Sequence, residues 1–222
     1  MAELRDYLNK TVSGLTVDGH AEVTFFIGNT PQAEAFGLAA ADLDDEAWHI
    51  RSDGGRVVIV GGGSRGTLYG VYHFIEDQLG IRWWNQTEEF VPNMRQLDLP
   101  RLDRSGKPYF EYRDINPSFG PLPYDRGRFA ARRRLNNNGI YNIEPEYGAT
   151  YSFGPPSFGH TFWRYFPASE YFASHPEYFA MNAEGKRIPD QMCLSNPEFR
   201  SEAIAKLKNF VEQGEAAARQ KG

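Results

Sequence analysis

The stretch Val57-Val58-Ile59-Val60-Gly61-Gly62-Gly63-Ser64-Arg65-Gly66-Thr67-Leu68-Tyr69-Gly70-Val71-Tyr72-His73-Phe74-Ile75-Glu76-Asp77-Gln78-Leu79-Gly80 decides the fold. Four β-branched apolar residues in a row read as a strand buried on both faces. Three glycines then allow a tight turn, and Ser64 stands where a helix N-cap is expected. Leu68, Val71, Tyr72, Ile75 and Leu79 recur at helical spacing, and Gly80 sits where a glycine would end that helix. Ile81-Arg82-Trp83-Trp84 reads as a further strand. The stretch is therefore expected to form a βαβ-type unit in an α/β layer.

Gly61, Gly63 and Gly66 also match G-x-G-x-x-G, after a strand and opening a helix, with Glu88 about twenty residues on. That is the context of a dinucleotide fingerprint. Against it, no further alternating strands and helices follow to complete a nucleotide-binding half. A turn that lets helix and sheet pack closely explains the same glycines, and no cofactor is expected.

The net charge of −5, from 24 basic and 29 acidic residues, shows no basic stripe for nucleic acid. The apolar share of 41% in 222 residues is enough for a packed core. Cys193 is the sole cysteine, which excludes an intramolecular disulfide and a thiolate metal cluster, and no metal is expected. No apolar run reaches eighteen residues, so no membrane helix is expected. The amphipathic N-terminus is not a signal peptide.

Taken in order, residues 2–12 read as a helix, 22–27 as a strand and 33–41 as a short helical or irregular piece. Glu46 to Arg51 alternates, Trp48 and Ile50 inward, and Asp53-Gly54-Gly55 is a hairpin turn. The two longer helices are expected on one face of a small sheet. Residues 88–92 and 97–100 read as edge strands and 103–108 as a linker. Beyond it, Tyr109–Ile115, Ile140–Glu144 and Gln191–Ser195 read as strands. Phe129–Leu135, an interrupted 167–179 and Pro197–Ala218 read as helices, the last with Asn196 as N-cap and Pro197 at the first position. Strands and helices alternating in this way are how a (β/α)₈ barrel begins.

Several of these motifs carry a family resemblance. Trp48-His49-Ile50-Arg51, Gly62 to Tyr72 and Leu79-Gly80-Ile81-Arg82-Trp83-Trp84 resemble the non-catalytic α/β domain that precedes the barrel in β-N-acetylhexosaminidases and α-glucuronidases. Phe110-Glu111-Tyr112-Arg113-Asp114 resembles the first barrel strand of the hexosaminidase-like group. His175-Pro176-Glu177-Tyr178-Phe179-Ala180 and Gln191 to Pro197 resemble a less characterised bacterial branch. The resemblance implies an N-terminal α/β domain over 1–104, of the kind found second in hexosaminidases. It implies the first part of a (β/α)₈ TIM barrel over 105–222, cut short. It further implies an oligo- or polysaccharide substrate, a periplasmic or extracellular setting, and a catalytic carboxylate pair on a fourth barrel strand downstream of residue 222. No catalytic residue is then assignable within the chain, which would be inactive by itself.

Glycoside hydrolysis needs two carboxyl groups plus groups that hold sugar hydroxyls and aromatic faces. Arg113 offers a planar fork suited to a vicinal diol and matches the arginine of the family's first strand; a structural ion pair explains it equally well. Asp114 follows it but points to the opposite strand face. His160, in Gly159-His160-Thr161, resembles the Gly-His after the third strand. Trp163 is one of several aromatics that could stack on a sugar or serve the core. Glu144 and Glu146 follow an expected strand, where barrel chemistry sits, or are simply solvated. Three functions remain: a glycoside hydrolase portion, a carbohydrate-binding or scaffolding module, and a nucleotide-dependent oxidoreductase resting on the glycines alone.

Overall fold

A computed structural model describes residues 2–14, 23–115, 126–137, 143–151 and 161–219. The chain forms a mixed α/β structure of two compact units, Met1–Tyr151 and Ser152–Gly222.

The first unit is built on a four-stranded sheet. Strands β1 (Thr24–Ile27), β2 (Trp48–Ser52), β3 (Arg56–Gly61) and β6 (Asp103–Gly106) lie in the order β1-β3-β2-β6. β3 runs parallel to β1 and antiparallel to β2, and β2 antiparallel to β6. Helices α1 (Ala2–Thr11), α2 (Pro31–Ala35), α3 (Ser64–Gln78) and α4 (Arg126–Arg132) surround it, with a short ladder of β4 (Arg82–Trp83) and β5 (Glu89–Phe90).

Val57 to Val60 are fully buried, as the apolar run requires. Their side chains alternate between two layers. Val57 and Ile59 join Leu4, Tyr7 and Leu8 of α1 and Tyr69, Tyr72 and Ile75 of α3 in the larger core. Val58 and Val60 join Ala33 and Leu38 on the other face. Burial of each such side chain is worth roughly 1.5–3 kcal/mol, which makes β3 the strand that both layers share. The helices α1 and α3 thus lie on one face of the sheet, as their patterning predicts. Tyr7 ties α1 to β4: its hydroxyl accepts from Trp83 Nε1 at 2.8 Å and donates to Glu89.

Several local expectations change. Ser64 does not cap α3: Gly63 holds the N-cap position in extended backbone, and no side chain closes the first turn. Gly80 does end that helix, at φ +70°. β4 pairs with β5 rather than with β3, so strand, turn, helix and strand do not form a βαβ unit in one sheet. Residues 97–100 carry no strand. The supposed linker is the edge strand β6, which crosses the boundary drawn after residue 104. Its sequence, Asp103-Arg104-Ser105-Gly106, is polar because it sits at a sheet edge, where charge is common.

β6 is held to β2 by side chains as well as by the ladder. His49 Nε2 lies 2.6 Å from Asp103 Oδ1, and Arg51 Nη2 donates to the same carboxylate at 3.1 and 3.2 Å. The His49 hydrogen bond first, then that of Arg51, holds the Asp103 carboxyl below the ordinary aspartate range. A carboxyl depressed on folding contributes stability above its unfolded pKa and loses it as pH falls through the folded one. We therefore expect β6 amides to lose hydrogen-exchange protection at the acid end, before the β3 amides do. In His49→Ala the Asp103 titration, followed by NMR, should move up toward the free value. An unmoved titration would show that the pair does not hold the strand.

In the second unit, α5 (Phe162–Tyr165) and α6 (Ala168–Tyr171) precede an antiparallel hairpin of β7 (Phe179–Met181) and β8 (Arg187–Met192), and α7 (Pro197–Arg219) follows. Its core is Phe166, Tyr178, Phe179, Met192, Phe199 and Ala203. Asn196 caps α7 as the sequence predicts, its Oδ1 accepting from the Phe199 amide at 3.0 Å. The helix expected over 167–179 breaks before Pro176, where His175 leaves helical backbone as a residue preceding proline does.

The strand expected at Tyr109–Ile115 does not form. Its backbone bonds go to a loop instead: the Arg113 amide donates to Asn136 Oδ1, and its carbonyl accepts from the Asn136 and Asn137 amides. Residues 138–142 lie outside the described part, and Ile143 and Glu144 are not strand. β8 meets the expectation of a strand near 191 but pairs antiparallel with β7, not in parallel. No parallel barrel pairing occurs among the described residues.

Candidate functional site

The glycine turn comes first because its reading bears on nucleotide binding. The Gly62 amide donates to the Ala47 carbonyl at 3.1 Å, and the Gly63 amide to the Asp45 carbonyl at 2.8 Å. These are the amides a phosphate cradle would aim outward. The loop ahead of β2 fills the space over the turn. A Cβ on Gly62 would stand 2.5 Å from the Leu43 carbonyl oxygen, and one on Gly66 would stand 2.7 Å from that of Asp45. The glycines therefore serve close approach of backbone to backbone. Gly70, one turn on, does the same for helix against sheet, its Cβ position lying 2.8 Å from Ile59 Cγ2.

Beside this turn lies a charge hub. Glu46 receives Arg65 Nη1 at 2.9 Å on Oε1 and Arg113 Nη2 at 2.7 Å on Oε2. Asn136 Nδ2 reaches the same Oε1 at 3.2 Å and the Glu111 carbonyl at 2.6 Å. The three charged side chains are only 12–18% exposed. Arg65 continues to the carbonyls of Gly148 and Ala149 at 2.6 and 3.1 Å. Arg113 donates further to the carbonyls of Arg134, Phe110 and Glu111 and to the Tyr69 hydroxyl at 3.0 Å.

Every donor of the Arg113 fork thus meets a protein group. The ion-pair alternative raised from the sequence describes its state, and no fork is left over for a diol. Asp114 accepts from Tyr112 at 2.8 Å. Trp163 belongs to the second unit, is 60% exposed, and has the Arg164 guanidinium over its ring at 4.9 Å. His160 lies outside the described residues. Arg113 and Asp114 are neighbours in one unit, and Trp163 stands in the other. Glu144 and Glu146 are exposed, the first just before and the second within the short turn Pro145–Tyr147.

Arg113 also borders a cavity of about 430 Å³ that sequence reasoning did not reach. Trp48, Tyr69 and His73 give it an aromatic side, and Lys107, Arg133 and Arg134 a basic one. The His73 ring stacks on Trp48 with centroids 4.4 Å apart. Burial first, then the nearby Arg134, holds the His73 imidazole down to about 4, so it is neutral at ordinary pH. Burial and the Glu46 charge push the Tyr69 hydroxyl up to about 12.

Most of the basic groups have partners. Lys107 pairs with Asp44 at 2.6 Å, Arg134 with Glu76, and Arg113 with Glu46. Arg133 differs: it makes no ion pair among the described residues and donates one long bond, 3.5 Å, to the Trp83 carbonyl. The His73 imidazole makes no hydrogen bond among the described residues. Arg134 takes a left-handed backbone at φ 55°, which costs roughly 1–2 kcal/mol in a residue with a Cβ. That turn places its carbonyl on Arg113 Nε while its side chain reaches Glu76. The signal available in sequence was Arg132-Arg133-Arg134 within a segment that reads as a basic helix; without the sheet, nothing tied it to Trp48 and His73.

A family described as a domain of unknown function, DUF4838, matches residues 83–219. No curated protein matches the chain. No helix among the described residues is long and apolar enough to cross a membrane.

Proposed function

Because the chain belongs to the DUF4838 family, whose description names no activity, we propose from its own residues that it is part of a glycoside-hydrolase-type protein acting on oligo- or polysaccharide. In this reading the first unit is the accessory α/β layer of the β-N-acetylhexosaminidase and α-glucuronidase type. The step from β8 through Cys193–Asn196 into α7 belongs to the start of a (β/α)₈ barrel. The two carboxyl groups of hydrolysis belong to the fourth strand of that barrel, a place none of the described residues occupies.

The observation that carries the proposal is the cavity against Trp48 and His73. An aromatic wall beside neutral and cationic donors is the lining that sugar rings and their hydroxyls call for. One observation favours the alternative, a binding or scaffolding module: Glu76 of the cavity lining, and Glu46 and Asp44 that pair with lining cations, are all held in ion pairs. The nucleotide-dependent alternative has the filled glycine turn against it.

Calorimetry of the 222-residue chain with neutral and charged oligosaccharides, beside an assay on aryl N-acetylhexosaminides and glucuronides, tests the reading. Binding without turnover is expected. Turnover by this chain would move the active site into it, and failure to bind any sugar would remove the carbohydrate reading. A companion titration with NAD should give no heat at millimolar ligand. Measurable heat, lost in a variant of the glycine turn that still folds, would restore the nucleotide reading.

A further inference from the structure

We propose that the cavity bounded by Trp48, Tyr69, His73, Lys107, Arg133 and Arg134 is a binding site for a carboxylated sugar, a uronate-type pyranose held by its carboxylate. The proposal rests on the carbohydrate reading above and adds a charge and a place to it.

Charge balance gives the sign. The cationic groups lining the cavity are Lys107, Arg113, Arg133 and Arg134, and its lining holds one acid, Glu76. Among the described residues, pairing Lys107 with Asp44, Arg113 with Glu46 and Arg134 with Glu76 leaves Arg133 as the unmatched charge. A guanidinium with four N–H directions unused among the described residues, beside a cavity, suits one carboxylate in two-pronged geometry. The surplus is one charge, which fits a monoanion better than a polyanion. Arg133 is exposed, so it can meet a ligand without the burial cost of an uncompensated ion.

The aromatic side gives the rest of the ligand. His73 stacks on Trp48, is partly open and lines the cavity with it, so a sugar ring in the cavity can pack against this pair. Its neutral imidazole presents one donor and one acceptor, neither taken among the described residues, and a sugar hydroxyl can use either. The volume of about 430 Å³ falls within the roughly 300–1,000 Å³ of small-molecule sites. A bare inorganic anion would leave the aromatic side and most of that space unused.

The test titrates the 222-residue chain with glucuronate, galacturonate, glucose and inorganic phosphate, following the ring signals of His73 by NMR and the heat by calorimetry. A uronate should bind and shift the His73 signals, with glucose and phosphate each at least about tenfold weaker, the loss expected when a charge-assisted pair or its sugar body is missing. Arg133→Gln, a surface change checked by its melting curve, should weaken the uronate about tenfold and glucose much less. Uronate and glucose binding equally, or uronate binding untouched by Arg133→Gln, would overturn the anion assignment and leave the carbohydrate reading standing. Phosphate matching the uronate would overturn the sugar part. No binding of any sugar would remove both. If Arg133→Gln melts early, Arg133→Lys replaces it: the charge stays but the fork is lost, and undiminished uronate binding would overturn the two-pronged geometry.

Discussion

Gly62→Ala should be among the most damaging single changes to the first unit, costing about 3 kcal/mol or more. A methyl group there would meet the Asp44 carbonyl and stand 2.5 Å from that of Leu43, with the Asp44 carbonyl carbon at 2.6 Å. These are main-chain atoms, so no rotamer change can relieve the clash. The neighbours are also committed: Asp44 accepts from the Ala47 amide at 2.8 Å, and Ala47 accepts from Gly62 itself at 3.1 Å. Moving that loop would break the bonds that fill the turn. No left-handed φ is involved at Gly62, so the whole effect is steric. Thermal melting of the variant checks it. Gly54→Ala supplies a contrast, since Gly54 takes φ +96° with nothing within 4 Å and should cost only the backbone strain, roughly 1–2 kcal/mol. If the two variants melt alike, the turn is not sterically filled.

The same turn shows what the sequence could and could not say. Four β-branched residues, three glycines and an amphipathic helix dictate strand, turn and helix locally, and all three stand where the pattern places them. The partners of that unit were not legible. Nothing local marks β4 for a separate ladder with β5, because a two-residue strand carries no periodicity. β6 escaped because an edge strand of Asp, Arg, Ser and Gly has the composition of a linker. Tyr109–Ile115 looked like a strand from its aromatic and β-branched residues, yet its Arg113 amide and carbonyl were claimed by Asn136 and Asn137, more than twenty residues on. Propensity lost to tertiary hydrogen bonding there. The candidate site was half legible for the same reason. Arg113 stood out as a fork of donors, but Glu46 and Tyr69, which occupy it, lie far off in sequence. The cavity brings β2, α3 and the residues after α4 together, and only the folded sheet does that.

Glu46→Ala is the second change expected to have a large effect, about 3 kcal/mol, the lower range for breaking a buried ion pair. Glu46 compensates two guanidiniums at once, Arg65 and Arg113, in a site that is mostly closed to water. Removing it leaves two like charges facing each other without an anion and strips Asn136 Nδ2 of one acceptor. Arg113 cannot turn away freely, because its other donors hold the carbonyls of Phe110, Glu111 and Arg134. The disturbance should therefore spread to the loop after α4 and to the cavity edge. For a unit of this size the loss corresponds to a melting midpoint lower by roughly 6–12 °C. Glu46→Gln keeps the shape and some hydrogen bonding and should fall between the two. The decisive comparison adds Arg65→Ala to Glu46→Ala. If the cost comes from uncompensated charge, the double variant should be more stable than the sum of the single losses predicts. Strict additivity would mean that Glu46 acts by packing alone, and a midpoint within about 2 °C of the parent would mean that the hub does not hold the unit together.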